Sequence, residues 1–213
     1  MIHCHSTSLN TIDSIVDYLN MFKHRILPRT LMITGANPSE PELFIKKCIF
    51  HFQHGIKLIQ LRAKELQKQE YCSLAKKVLV EAQKYNVQVI LNCEPAWAQN
   101  LESDGLHLSS MQLMQTSKKP LSNNHLLSAS CHNQEQLVHA QTIGVDFVTL
   151  SPVQETQTHP EATPLGWDIF ATLCQSVEFP VYALGGITAH DHEKARAYGA
   201  YGIAAIRSLW GAA

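Results

Sequence analysis

The sequence predicts an α/β fold, a single (β/α)8 TIM barrel preceded by an extra N-terminal helix. Short apolar runs alternate with helix-like segments eight times, and short connections join them. This alternation indicates parallel strands joined by crossover helices. Eight such units in roughly 180 residues favour a closed barrel over an open sheet. An open dinucleotide-binding sheet would carry Gly-x-Gly-x-x-Gly after its first strand, where this chain has Gly35-Ala-Asn-Pro38.

The first 28 residues differ in pattern from the remainder of the chain. Apolar residues recur at helical spacing from Thr11 to Phe22, which predicts an amphipathic helix packed against the barrel. A partner-binding helix is the alternative interpretation. The predicted organisation is therefore a helical extension over residues 1–28 and a barrel over residues 29–213.

The barrel elements follow from apolar runs and from residues that begin or end helices. Ser39 and Glu42 form a capping-box pattern, and Gly55, Gly144 and Gly199 stand where helices are expected to end. The predicted strands are 31–34, 57–62, 87–91, 105–108, 126–130, 147–150, 181–184 and one within 199–206. The predicted helices are 39–54, 70–85, 95–100, 109–116, 133–144, 168–176 and 189–198.

Composition excludes several classes of function. The formal net charge is −1 and the pI is about 6.9, which argues against a nucleic-acid or anionic-membrane surface. No apolar run approaches the ~20 residues that span a bilayer, and the first residues lack a signal-peptide pattern. We therefore expect a cytoplasmic protein. The six cysteines form no Cys-x-x-Cys pair, so free thiols are expected.

Polar residues at the predicted strand ends indicate an anion site. Gln60, Arg62 and Lys64 alternate after the second strand, so they share one face at the barrel mouth. Two cations and an amide suit a phosphate or diphosphate. Other candidates follow the remaining strands: Asn92, Cys93, His107, Ser109, Ser110, Gln112, Ser130, His132, Thr156, Thr158, His159, Ile206 and Arg207.

A glycine turn follows the seventh predicted strand. Gly185 and Gly186 leave backbone N–H groups bare, so an anion can approach them closely. Thr188 caps the next helix, with Asp191 in its first turn. This position lies near the last strands of the barrel, where phosphate groups often bind. A turn whose glycines serve only the backbone is the alternative.

Five motifs follow one another along the predicted barrel: Gln60-Leu-Arg-Ala-Lys64, Asp104-Gly-Leu-His-Leu108, Ser130 with His132, Ser151-Pro-Val-Gln-Glu-Thr-Gln-Thr158 followed by Pro164-Leu-Gly166, and Ala183-Leu-Gly-Gly-Ile187. Taken together, they resemble the thiamine phosphate synthase / thiazole tautomerase family over roughly residues 29–210. The resemblance is closest to the variant domain found fused to Nudix hydrolases.

The resemblance implies a TIM barrel and a transferase of thiamine biosynthesis. In the synthase, an aminopyrimidine diphosphate loses pyrophosphate, and the nitrogen of a thiazole phosphate captures the resulting cation. Catalytic roles then fall on Arg62, Lys64, Ser130 and His159. Binding roles fall on Gln60, Asn92, His107, Thr156, Thr158, Gly185, Gly186, Ile206 and Arg207.

The chain departs from the family pattern at several positions. The resemblance implies Mg²⁺ as cofactor, but the two metal-binding aspartates fall on Cys93 and Gln112, which cannot replace hard anionic ligands. The loop lysine falls on His159 and a phosphate-turn serine on Arg207. The tautomerase histidine falls on Pro152, which leaves His107 or His159 as alternative acid/base residues.

Three functions therefore stay open at this point. The first is a synthase with a metal-poor site. The second is a tautomerase-like isomerase, or an enzyme acting on another heterocyclic phosphate. The third is a non-catalytic module that binds a phosphorylated heterocycle. All three predict a small phosphorylated partner and no nucleic-acid or membrane partner, and they leave a homodimer open.

Overall fold

A computed structural model describes residues 27–35, 40–122, 124–157 and 161–211. The predicted helix between Thr11 and Phe22 lies outside these ranges, as do Ser39, Thr158 and His159. No helix in the described ranges is long and apolar enough to span a bilayer.

Eight parallel strands close into a barrel in the order in which they occur along the chain, each paired with its sequence neighbours and the first with the eighth. This confirms the predicted (β/α)8 barrel. The strands are β1 Thr30–Ile33, β2 Leu58–Arg62, β3 Gln88–Asn92, β4 Gly105–Leu108, β5 Leu126–Cys131, β6 Phe147–Leu150, β7 Val181–Ala183 and β8 Gly202–Ala205.

Helices surround the barrel and connect consecutive strands. They are α1 Pro41–Gln53, α2 Lys68–Lys84, α3 Pro95–Ala98, α4 Ser110–Gln115, α5 Gln134–Ile143, α6 Gly166–Gln175, α7 His192–Ala197 and α8 Arg207–Trp210, with a 3-10 turn, Ala189–Asp191, directly before α7. The sequence did not predict α8, because four residues are too few to show a helical period.

Side chains alternate between the inside of the barrel and the layer beneath the helices. Leu31, Leu58, Ile90 and Phe147 belong to the inner core, whereas their neighbours Met32, Ile59, Leu91 and Val148 belong to the outer one. The period of two that governs a pleated strand produces this division. It also means that Gln60, two residues after Leu58, faces the interior.

Two tyrosines close the amino-terminal end of the barrel. Tyr182 donates a hydrogen bond to the carbonyl of Pro28, and Tyr201 donates to the carbonyl of Leu27. The guanidinium of Arg29 lies 3.9 Å from the centre of the Tyr201 ring, a cation–π contact. These contacts hold the chain that leads into β1 across the end opposite to the predicted site.

The ends of the helices test the sequence prediction in detail. Helix α1 begins at Pro41, directly after Glu40, and proline is favoured in the first helical turn. Capping hydrogen bonds occur at Asn133 and at the predicted cap Thr188: Asn133 Oδ1 accepts from Gln136 N, and the Asp191 carboxylate accepts from Thr188 N. Gly144 ends α5 in the left-handed conformation, as predicted.

The contact between β8 and the chain before β1 predicts a stability effect at Gly202. A Cβ added there would lie 2.1 Å from the carbonyl oxygen of Arg29. We expect Gly202→Ala to lower the free energy of unfolding by about 1–3 kcal/mol, because the strands must separate to admit the methyl group. Urea denaturation measures the change. The exposed Gln141→Ala on α5 is the control, expected within about 0.5 kcal/mol of wild type; equal effects of the two changes would contradict the prediction.

Candidate active site

A cavity of about 570 Å³ opens at the carboxyl ends of the strands, the end at which chemistry gathers in this fold. Side chains from most of the eight strands and from the long loop after β6 form its wall. Nine of the residues to which the resemblance assigns a role belong to that wall: Gln60, Arg62, Lys64, Asn92, His107, Ser130, Thr156, Gly185 and Ile206. The candidates Ser109, Ser110 and His132 also line it.

The cationic side of this cavity lies at the end of β2. Thr34 fixes the backbone of Arg62 from both sides, since its Oγ1 accepts from Arg62 N at 2.8 Å and donates to Arg62 O at 3.0 Å. Partial burial and the adjacent guanidinium lower the pKa of Lys64. In the described part of the chain, neither cation forms an ion pair with a carboxylate. Two unpaired cations side by side favour an anion between them.

A chain of hydrogen bonds runs through His107, which is 2% exposed. Its Nδ1 lies 2.8 Å from Ser128 Oγ, and its Nε2 lies 2.8 Å from Ser130 Oγ. Ser128 Oγ donates to Leu106 O, and Thr149 Oγ1 donates to Ser130 Oγ. This order of donors assigns the ring proton to Nδ1 and directs the Ser130 proton to Nε2.

The surroundings of His107 make it a neutral ring rather than a proton carrier. Burial, and secondarily the charge of Lys64, lower the pKa of His107 from 6.5 to about 3. His107 lies within the predicted fourth strand, as the third residue of β4, and its side chain points into the barrel. Its role in the structure is to orient Ser130, whose hydroxyl belongs to the wall of the cavity.

A second cavity of about 280 Å³ adjoins the first at the glycine turn. Thr156, Leu184, Gly185 and Ile206 line both, so the two form one site with two lobes. Gly185 and Gly186 have φ values of 93° and 69°, the left-handed region that favours glycine. The second lobe also contains Arg207, whose guanidinium donates to Gln157 Oε1.

The loop after β6 is held against this turn by backbone hydrogen bonds. Val153 N donates to Leu184 O at 2.9 Å, and Gln154 N donates to Gly185 O at 3.0 Å. A Cβ on Gly186 would lie 2.5 Å from Glu155 O, so only glycine permits this approach. Backbone hydrogen bonds and this close approach therefore join the loop and the turn into one unit that borders both lobes.

Comparison with known proteins identifies the family. The model of the TMP-TENI family, described as thiamine monophosphate synthase, matches residues 31–209. The chain belongs to this family. A "Putative thiamine-phosphate synthase 2" of Aquifex aeolicus is 36% identical over 180 residues, which cover 84% of this chain and 96% of that protein. A "Thiamine-phosphate synthase" of Syntrophomonas wolfei is 30% identical over 160 residues, 74% of this chain and 77% of that protein.

A solved structure shows the same fold at lower sequence identity. It is a thiamine phosphate pyrophosphorylase from Pyrococcus furiosus, with a TM-score of 0.70 and 21% identity. The match covers 86% of this chain and 88% of that one. At this identity the likeness concerns the barrel itself, and it agrees with the family assignment drawn from the sequence.

Cys93 and Gln112 occupy the positions at which the family resemblance places the Mg²⁺ ligands, so their surroundings test whether this chain can bind the ion. Cys93 is buried in the outer core, where its thiol interacts with the Tyr71 hydroxyl, and burial raises the pKa of the thiol to about 12. A protonated thiol is no ligand for a hard cation.

The amide of Gln112 is fully engaged within the protein. Its Oε1 accepts from Ser109 N and Ser109 Oγ, both at 3.0 Å. Its Nε2 donates to Glu94 Oε1 at 3.0 Å and to Cys93 O at 3.4 Å. No group of three His, Cys, Asp or Glu side chains that could hold a metal occurs among the described residues. These donors do not fit the Mg²⁺ site that the family resemblance implies.

The structure thus brings together eleven of the thirteen predicted site residues in two connected lobes, with Gly186 and Arg207 in the second. Thr158 and His159 lie outside the described residues. Sequence reasoning missed Thr34, Ser128, Thr149 and Gln157, which position the predicted residues. Alternation within β5 and β6 could have indicated Ser128 and Thr149, because both share the inward face with Ser130.

The buried neutral His107 predicts a pH-dependent stability. Its folded pKa of about 3 lies below the ordinary 6.5, so its contribution is complete above pH 6.5 and is lost as the pH falls toward 3. We expect the stability difference between wild type and His107→Gln to shrink by up to about 1.4 kcal/mol per pH unit in that window. Urea denaturation at successive pH values measures it. Parallel curves for the two proteins would contradict the prediction.

Proposed function

We propose that this chain is a thiamine-phosphate-synthase-like transferase that binds two phosphorylated heterocycles in the two lobes of one site. The observation that carries the proposal is the continuity of a cationic lobe with a glycine-turn lobe through Thr156, Leu184, Gly185 and Ile206. Two anionic substrates bound there would place their rings in the shared region. Such positioning is the main requirement for joining two bound molecules.

In this proposal the cationic lobe holds an aminopyrimidine diphosphate. Arg62 and Lys64 bind the diphosphate, and Gln60, Asn92 and Ser130 contact the remainder of the molecule. The bond between the methylene carbon and the diphosphate oxygen breaks, and pyrophosphate leaves with the electron pair. The two cations stabilise the negative charge that develops on the leaving group, a form of electrostatic catalysis.

The glycine-turn lobe holds the thiazole phosphate. In this proposal the backbone N–H groups of Gly185 and Gly186 donate to the phosphate oxygens. Arg207 leaves its neutral partner Gln157 and pairs with the phosphate. The lone pair of the thiazole nitrogen then forms the new C–N bond with the pyrimidine methylene cation. Thiamine phosphate and pyrophosphate are the products, and every atom of the substrates is accounted for.

A second function is favoured by a specific observation. Because Cys93 and Gln112 make internal contacts instead of supplying two acids, a module that binds phosphorylated heterocycles without turnover is the alternative. A tautomerase has less support, since Pro152 stands where the family's histidine would be and His107 is held neutral by burial. His159, which could also serve as acid or base, lies outside the described residues.

Turnover with the two purified substrates tests the proposal. We expect thiamine phosphate and pyrophosphate to form in equal amounts, measured by chromatography at high protein concentration. Binding of thiazole phosphate in a thermal-shift assay without any product would support the non-catalytic module instead. If the chain showed neither binding nor product formation, both functions would be excluded.

The proposal predicts that removal of the Arg62 charge weakens binding of the diphosphate substrate. We expect Arg62→Gln to weaken binding of the aminopyrimidine diphosphate at least about tenfold, because a charge-assisted contact in the lobe is lost. Arg196→Gln is the matched control, since Arg196 is exposed on α7 and lies 3.8 Å from Glu193. Isothermal titration measures both. An equal effect of the two changes would contradict the role of Arg62.

Substitution in the glycine turn should affect the other substrate. A Cβ at Gly186 would meet the loop backbone at Glu155 and would occupy a left-handed conformation. We therefore expect Gly186→Ala to weaken thiazole phosphate binding at least about tenfold while leaving diphosphate binding within about twofold of wild type. Isothermal titration of each substrate separately measures the two dissociation constants. An equal weakening of thiazole phosphate and diphosphate binding would argue against two independent lobes.

A further inference from the structure

The turn after β3 and the start of α4 are joined by an amide where the family resemblance implies a metal. Gln112 is the third residue of α4, and its Nε2 reaches two oxygens of the β3–α3 turn, Cys93 O and Glu94 Oε1. A cation bridging the two segments would use oxygen ligands of the same kind. The amide N–H groups thus link the two segments by hydrogen bonds.

All four hydrogen-bonding positions of this amide are used. A primary amide has two donor hydrogens and two acceptor lone pairs. In Gln112 the hydrogens serve Glu94 and Cys93, while the oxygen accepts from the backbone N–H and hydroxyl of Ser109. Ser109 Oγ in turn accepts from Gln112 N, which completes a capping box at the start of α4. The oxygen thus caps a helix and is not free for a ligand.

The charges around the main cavity also argue against a bound Mg²⁺ ion. Neither Cys93, Glu94 nor Gln112 lines the main cavity, whose wall carries the two cations Arg62 and Lys64. Glu161 from the long loop is the one acidic side chain among the described residues of that wall. A Mg²⁺ ion bound with diphosphate usually has one or two protein carboxylates as ligands, together with the phosphates. Among the described residues of the wall, Arg62 and Lys64 supply the positive charge and Glu161 the one carboxylate.

We infer that the cationic lobe binds a diphosphate group without a divalent cation, with Gln112 replacing the metal as the link between the β3–α3 turn and α4. This inference rests on the proposed function for the identity of its ligand. It concerns the binding of pyrophosphate alone, so it can be tested whether or not the chain catalyses transfer.

Isothermal titration of inorganic pyrophosphate into the full chain tests the inference, first in EDTA and then in MgCl₂ at equal ionic strength, with allowance for magnesium pyrophosphate in solution. We expect dissociation constants within about twofold of each other, and an increase of at least about tenfold for Arg62→Gln in EDTA. Binding that requires Mg²⁺, tightening of tenfold or more by Mg²⁺, or no binding in either condition would overturn it.

A second experiment examines Gln112 directly. Gln112→Glu loses both donors and places a carboxylate beside Glu94, so we expect Mg²⁺ to raise its melting temperature while that of wild type stays unchanged. Gln112→Met is the matched control, with the lost hydrogen bonds but no new charge. A Mg²⁺-induced rise in wild type, or in Gln112→Met as much as in Gln112→Glu, would overturn the inference.

The proposed transferase function and the proposed metal-free site can be refuted independently of each other. Metal-free pyrophosphate binding without any thiamine phosphate would leave this inference in place and remove the transferase. Product formation that needs Mg²⁺ would leave the transferase in place and remove the metal-free site.

Discussion

The alternation of side chains along eight parallel strands is the constraint on which the site depends. Every second residue faces the barrel interior, and the strands end at the same edge. In β2 the inward series runs from Leu58 through Gln60 to Arg62, from apolar core to charged mouth. In β5 it runs from Leu126 through Ser128 to Ser130. A shift of one residue would send these polar groups into the layer beneath the helices.

The same alternation explains how the upper interior of the barrel becomes polar while its buried histidine and hydroxyl groups stay hydrogen-bonded. His107, Ser128, Ser130 and Thr149 occupy neighbouring inward positions and satisfy one another in a single chain of hydrogen bonds. Buried polar groups are costly when unpaired, and a complete chain avoids that cost while fixing each orientation. The hydroxyl of Ser130 is thereby held in place before any ligand arrives.

The sequence predicted the barrel and most residues of the mouth, because strand periodicity and strand-end chemistry are local signals. It did not predict contacts between distant segments. Nothing local to Gln112 indicates that its amide reaches Cys93 and Glu94, and nothing local to Arg207 indicates that it meets Gln157. The Ser109-x-x-Gln112 spacing did carry one usable signal, that of a capping box. Short elements such as α8 also escaped, since packing of Trp210 against Phe44 determines them more than any pattern does.

The cations and the glycine turn belong to different parts of the chain, and this bears on how such a site could evolve. Strands β2 to β5 carry the cations and amides, while β6 to β8 carry the loop, the glycine turn and Arg207. Hydrogen bonds within each part include the contact of His107 with Ser130 in the first and the contacts of the loop after β6 with the glycine turn in the second. A recombination event between relatives could exchange the part that carries the cations while keeping the part that carries the glycine turn. Ligand preference in each half could then diverge by inheritance of separate modules, with the shared scaffold conserved.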